Sequence, residues 1–192
     1  MTLPVRQHFR SLRRSLTFEQ QEEAANAVTV SSLTLLKTLK IRQLSAYWPS
    51  DGEISPLKIV SECLKLGLGC TLPVIRKDQS LRFARLEPNT QYDYNRYHIA
   101  EPQVPDEQLL NATDHDALLL PLTAYSRSGQ RLGMGGGYFD RTLAACAQAP
   151  GRPYLIGLAH AFQEAEFESN PWDIDLDYVI TPVEVIEISS PL

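Results

Sequence analysis

Nowhere in the 192 residues does an apolar run approach the roughly 20 that a bilayer span requires, so no transmembrane segment and no membrane partner are expected. The basic N-terminus, MTLPVRQHFRSLRRSL, lacks the apolar stretch and small-residue cleavage site of a secretory signal, and the expected location is the cytoplasm. Cysteine is scarce. Cys63, Cys70 and Cys146 are widely spaced and form no CxxC motif, which excludes a disulfide scaffold and predicts reduced, structural thiols. His8, His98, His115 and His160 show no metal-ligand spacing, so no zinc site is expected. Internal repeats and low-complexity tracts are also missing.

Lysine is sparse as well, 5 residues against 13 arginines, a bias that suits planar, two-point recognition of phosphate or carboxylate. The net charge of −5 argues against nucleic acid as a partner. Hydrophobic residues at 43% and charged residues at 21% are ordinary for a folded chain and exclude a wholly disordered one. The length suits one domain over residues 1–192, expected as a monomer.

Val5, Phe9, Leu12 and Leu16 recur at helical spacing, with Arg6, Arg10 and Arg13 on another face. On spacing alone that basic face reads as solvated. Thr17 and Gln20 form a capping box that opens a second helix. Residues 41–48 read as a strand, Ser50-Asp51-Gly52 as a turn, and Ser55-Pro56 as an N-cap followed by proline. The helix from Pro56 to near Gly67 and an apolar run over residues 70–74 complete a βαβ unit, which predicts a parallel sheet. A further strand is expected over residues 81–86, and the polar stretch 87–111 reads mostly as loop. Residues 117–121 are continuously apolar, as in a central strand. A helix over 138–147 and three closing strands at 154–159, 178–181 and 184–188 follow, with a frayed tail at 189–192.

The densest chemical signal lies at Arg131, Leu132, Gly133, Met134, Gly135, Gly136, Gly137, Tyr138 and Phe139. Four glycines in five positions, between a buried strand and a helix, let backbone N–H groups approach an anion without Cβ atoms in the way. A phosphate-holding loop and an ordinary flexible turn are both open on composition alone. Walker A and GxGxxG patterns do not fit. Asp140 either complements the helix start or holds Mg²⁺ beside a triphosphate. Asp173 belongs to an alternating acidic run that is a second carboxylate source or a solvated edge. For Tyr138, a hydroxyl that orients a reacting oxygen and a ring that packs the helix start are both open.

Four segments in order, the Arg-rich helix ending in RRSLT, YWPSDGEI, LLLPLTAYSRSGQRLGMGGGYFDRTL and WDIDLDYVITP, resemble the 5-formyltetrahydrofolate cyclo-ligase family over nearly the whole chain. The resemblance implies an α/β fold in three layers, a mostly parallel sheet with helices on both faces, of the NagB/RpiA-like Rossmann type. It implies ATP- and Mg²⁺-dependent closure of 5-formyltetrahydrofolate, with or without a polyglutamate tail, to 5,10-methenyltetrahydrofolate, with ADP and phosphate released. By position, it assigns Arg6 and residues Arg131 to Phe139 to ATP. Trp48, Glu53 and residues Met134 to Tyr138 go to the folate, Asp140 and Asp173 to magnesium, and Tyr138 to catalysis. Many family members carry cations at the positions of Met134, Gly136 and Thr2, which are neutral here. Those neutral positions motivate a second reading, a folate- or nucleotide-binding member with weak or no turnover. A sugar-phosphate isomerase or CoA-transferase-like enzyme is a third, on architecture alone.

Overall fold

The computed structural model describes residues 2–144, 146, 151–168 and 174–188. Helices α1 (Thr2–Ser15) and α2 (Phe18–Thr38) precede strand β1 (Gln43–Ser45), helix α3 (Leu57–Lys65) and strands β2 (Gly69–Ile75) and β3 (Leu81–Arg85). Next come β4 (Tyr92–Tyr94), β5 (Ala100–Pro102), β6 (Ala117–Pro121), β7 (Ala124–Tyr125) and β8 (Arg131–Leu132). The chain continues through α4 (Tyr138–Ala144), β9 (Tyr154–Leu158), β10 (Tyr178–Ile180) and β11 (Val185–Glu187).

Seven strands form one sheet in the order β11-β10-β9-β6-β1-β2-β3. The five inner strands are parallel, and β3 and β11 close the edges antiparallel. β6 is buried on both sides, as its unbroken apolar run predicts. Its Ala117 and Leu119 join a core with Val28 of α2 and Ile59, Val60 and Cys63 of α3. Its Leu118 and Leu120 face the opposite layer, with Leu143 of α4, Leu155 and Val179. Each of the valine, leucine and isoleucine side chains among these contributes roughly 1.5–3 kcal/mol on burial. The mostly parallel sheet with helices on both faces is therefore as expected.

The capping box forms: Gln20 N donates to Thr17 Oγ1 at 3.3 Å, and Thr17 N donates to Gln20 Oε1 at 2.8 Å. Three readings change. α3 begins at Leu57 with Pro56, not Ser55, in the cap position, although Leu57 N still reaches Ser55 Oγ at 3.4 Å. Within residues 87–111, expected as loop, β4 and β5 pair as an antiparallel hairpin. On α1, Arg13 is buried and Leu12 is exposed. The helix turns that face inward because the guanidinium finds partners there, while Phe9 packs with Ala124 and Leu132 of the β7–β8 hairpin. α4 ends at Ala144 among the described residues, and the expected frayed tail lies outside them.

From β1 the chain crosses to β2 on one side and later enters β6 on the other. Ligands in open α/β sheets bind beyond the carboxyl ends of the strands where the order reverses in this way. Two segments leave the sheet there: residues 46–53 after β1, and residues 122–137 after β6.

Candidate active site

The segment after β6 makes the short β7–β8 hairpin and then runs through the glycines into α4. Gly135 has φ +99°, a conformation open to glycine and strained for side-chain residues. A Cβ built there meets no protein atom within 4 Å, so the bend faces open space. The Gly133 carbonyl accepts Arg6 Nε at 2.9 Å and the Gly136 carbonyl accepts Arg141 Nη2 at 2.5 Å. The N–H groups behave differently. Among the described residues, none of those from 133 to 137 donates to a protein acceptor. Five successive donors without an acceptor among the described residues, with two guanidiniums on the carbonyl side, are the kind of backbone that can take an anion.

The segment after β1 is built on charge. The Glu53 N–H donates to the Ser50 carbonyl at 2.9 Å, closing a turn with Asp51 and Gly52 both at positive φ. Arg10 Nε donates to Asp51 Oδ2 at 2.7 Å, Arg13 Nη2 donates to the same oxygen at 3.0 Å, and Arg14 binds Oδ1. Burial raises the Asp51 carboxyl, but the hydrogen bonds from Arg10, Arg14 and Arg13 outweigh it and hold the group below the ordinary aspartate value. Two residues on, the balance reverses. The Glu53 side chain is only 6% exposed, and burial lifts its carboxyl to about 7 against the hydrogen bond from the Ser50 N–H and the Arg13 charge. Asp51 therefore serves as a permanent counter-ion, whereas Glu53 is poised to ionise near neutrality.

Arg13 joins the two segments. Its side chain is fully buried; Nη1 donates to the Leu122 carbonyl at 3.0 Å and lies 3.9 Å from Glu53 Oε1, while Nη2 is 3.6 Å from Met134 Sδ. On helical spacing alone, Arg10 and Arg13 fall on a solvated face. Asp51, 38 residues from Arg13, is what overturns that reading.

Asp140 is ion-paired with the buried Arg131. Asp173 lies outside the described residues. Among the described residues no group of three His, Cys, Asp or Glu side chains is arranged to hold a metal. Trp48 is half-buried and tilts against Tyr92 at a centroid distance of 5.7 Å. The ring of Tyr138 packs against the core beside Phe139, in line with the packing reading, and its hydroxyl meets Tyr97 and Arg96. Leu132 is buried in β8 and contributes packing. The His160 imidazole is driven down to about 4 by burial, with Arg13 adding to the effect, and is neutral at physiological pH.

A family model described as the 5-formyltetrahydrofolate cyclo-ligase family matches residues 3–182. The chain belongs to that family. The 5-formyltetrahydrofolate cyclo-ligase of Haemophilus influenzae is 33% identical over 175 residues, 90% of this chain and 92% of the relative. That of Escherichia coli is 33% identical over 181 residues, 93% of this chain and 98% of the relative. Among solved structures, the 5,10-methenyltetrahydrofolate synthetase of Aquifex aeolicus superposes with a TM-score of 0.82 at 24% identity, covering 98% of this chain and 93% of that one. A similarity at that identity speaks for the fold.

In this cyclo-ligase family member, the structure thus brings Arg6, Gly133 and Met134 together with Arg13, Asp51 and Glu53 at one edge of the sheet. Sequence reasoning gave no site role to Asp51, Arg96 or Arg141, and it read Tyr92, Tyr94 and Tyr97 either as groove-lining or as ordinary exposed loop aromatics. The two-residue spacing of Tyr92 and Tyr94 is the signal that would have marked β4 as a strand.

Proposed function

We propose that this chain catalyses the ATP- and Mg²⁺-dependent cyclisation of 5-formyltetrahydrofolate to 5,10-methenyltetrahydrofolate. ATP is the family's co-substrate. The observation that supports the reading is the run of N–H donors at residues 133–137 without an acceptor among the described residues, linked to Glu53 through Arg13. A formamide carbonyl is a weak electrophile with a poor leaving oxygen. Phosphorylation cures both: the formyl oxygen attacks the terminal phosphorus and the bond to ADP breaks. The nitrogen at position ten then attacks the formyl carbon, the carbon–oxygen bond breaks, and phosphate and the proton of that nitrogen depart.

The chain's part is positioning and charge neutralisation. The N–H groups of residues 133–137 hold phosphate oxygens and Arg6 adds a cation. Trp48 offers a face to the pterin. Glu53, once ionised, accepts paired donors from the pterin's amino and ring N–H groups. Tyr138 directs a hydroxyl at the formyl or phosphate oxygen. For magnesium, the donor set fits in kind: Asp140 is a hard carboxylate ligand at the end of the phosphate segment, and Mg²⁺ usually takes one or two carboxylates plus phosphate oxygens. Asp140 and Asp173 would hold it, and its chemistry there is neutralisation of phosphate charge.

The same proposal describes a monomeric, cytoplasmic single domain over residues 1–192 that accepts polyglutamylated folates. Its support includes three free, buried cysteines and, among the described residues, no helix long and apolar enough to cross a membrane. The test is the near-ultraviolet absorbance of the methenyl product in mixtures of protein, 5-formyltetrahydrofolate and Mg²⁺, with and without ATP. Product that appears only with ATP supports the proposal. Tight folate binding with no product would replace it with the binding-protein reading.

A further inference from the structure

The tip of the β4–β5 hairpin is built to hold two side chains over the end of the glycine segment. Asn95 Oδ1 accepts the Tyr97 N–H at 2.8 Å and the Ile99 N–H at 3.2 Å, and Asn95 Nδ2 donates to Glu101 Oε1 at 2.8 Å. From that braced turn, Arg96 Nη2 donates to the Tyr138 hydroxyl at 2.5 Å, and the Tyr97 and Tyr138 hydroxyls lie 2.7 Å apart. On the other side of Tyr138, the Arg141 guanidinium sits 5.4 Å from the ring centroid while donating to the Gly136 carbonyl. At the hairpin's other end Tyr92 packs on Trp48, so the hairpin spans the candidate pterin and phosphate positions.

The distribution of charge gives this cluster its meaning. Residues 132–139 carry no cationic side chain. The neighbouring guanidiniums are largely committed: Arg131 to Asp140, and Arg10, Arg13 and Arg14 to Asp51. Among the described residues, neither Arg96 nor Arg141 has a carboxylate within ion-pair distance. Hydrogen bonds from Tyr97 and Arg96 hold the Tyr138 phenol below its ordinary value, as a local positive potential requires.

We infer that Arg96 is a further catalytic residue, carried on the hairpin tip to contact the transferring phosphoryl group held by the glycine segment. It rests on the function proposed above. Phosphoryl transfer spreads negative charge over three oxygens, and a guanidinium fork can bind two of them at once. The carboxylates of a polyglutamate tail have related anionic chemistry. Contact between the cluster and Gly136 and Tyr138, within the phosphate segment itself, favours the phosphoryl group.

The test compares the parent protein with Arg96→Gln, Arg96→Lys and Arg96→Ala under saturating folate. Arg96 is exposed, so an unchanged melting temperature is expected. The kcat of Arg96→Gln should fall by about 100-fold, the size of loss typical for one preorganised donor at a developing charge. Arg96→Lys should recover only part of it, and added guanidinium should partly rescue Arg96→Ala. Binding of a non-hydrolysable ATP analogue should weaken at least about tenfold while ADP affinity holds, as removal of one charge-assisted contact to the terminal phosphate requires. A kcat within twofold of the parent would overturn the assignment, as would an effect confined to the KM of polyglutamylated substrate, which would place Arg96 on the tail. A parent protein without ATP-dependent turnover would instead sink the function proposed above. An active parent with an equally active Arg96→Gln sinks this inference alone.

Discussion

Two stretches at the carboxyl edge of the sheet, both placed at the ligand in the function proposed above, handle charge by opposite means. The turn from Ser50 to Glu53 is saturated with its own charge: three guanidiniums converge on Asp51, one of them fully buried. The segment from Gly133 to Tyr138 is nearly bare. The donors of residues 133–137 have no acceptor among the described residues, Arg6, Arg96 and Arg141 sit on carbonyls or on a phenol, and the bend at Gly135 faces open space. The first stretch is ordered without a ligand, so substitutions of Asp51 should act mainly on stability. On the function proposed above the second is completed by phosphate, so substitutions there should act on turnover.

The strongest way to break this contrast is Gly135→Val. The new side chain would enter the anion concavity, and ATP-dependent activity should fall by about 100-fold or more, the scale of removing a preorganised electrostatic contact. Because the φ of +99° strains any side-chain residue, a stability loss of about 1–3 kcal/mol is also expected. Retained activity in the folded variant would show that phosphate does not bind in this bend. Asp51→Ala probes the opposite stretch. It strands the buried Arg13 guanidinium, and urea melts should show a loss of about 3 kcal/mol. A loss under about 1 kcal/mol would mean that the arginine cluster is ornamental.

The same contrast governs what could be read from sequence. The cap at Thr17, the βαβ unit and the doubly buried β6 were legible because each depends on residues within about one element of one another. Glycine density marked the phosphate segment for the same reason. The β4–β5 hairpin escaped because every residue of β4 is exposed, so no apolar alternation betrays it. The inward turn of Arg13 escaped because Asp51 is 38 residues away, and helical spacing favoured Leu12 for that face. In the candidate site, residues defined by their own backbone were legible, while the contacts made by Arg96 and Tyr97 were not. Their partner Tyr138 stands more than 40 residues further along the chain.

Glu53 sharpens the comparison through pH, because it is the titrating member of the charged stretch. Its folded value of about 7 lies above the ordinary glutamate value of 4.5, so the folded state favours the protonated carboxyl. The stability tied to this group is complete below 4.5 and is lost as pH rises through 7, amounting to roughly 3 kcal/mol over that interval. Glu53→Gln should therefore gain stability relative to the parent between pH 5 and 8, a trend read from melting temperatures across that range. If Glu53 receives the pterin in its ionised form, as proposed above, log kcat/KM for the folate should climb below about 7 and level off above it. In Glu53→Gln that bend should disappear; an unchanged bend would assign it to another group.

The smallest effect is expected at Asp140, where the two modes meet in one side chain. It neutralises the buried Arg131, as Asp51 does Arg13, yet at 34% exposure it lies open to ligands, as the glycine segment does. Asp140→Asn keeps the shape and removes the charge. If the residue were only a counter-ion, urea melts would register about 1 kcal/mol and the magnesium dependence of turnover would not move. If it also serves the metal, the Mg²⁺ concentration for half-maximal rate should rise several-fold on top of that loss, because one of the one or two carboxylates that usually hold the ion would be gone. A titration of rate against Mg²⁺ at saturating ATP separates the two, since the stability term is common to both. A half-maximal concentration equal to the parent's would remove Asp140 from the metal site and leave it wholly on the structural side of the comparison.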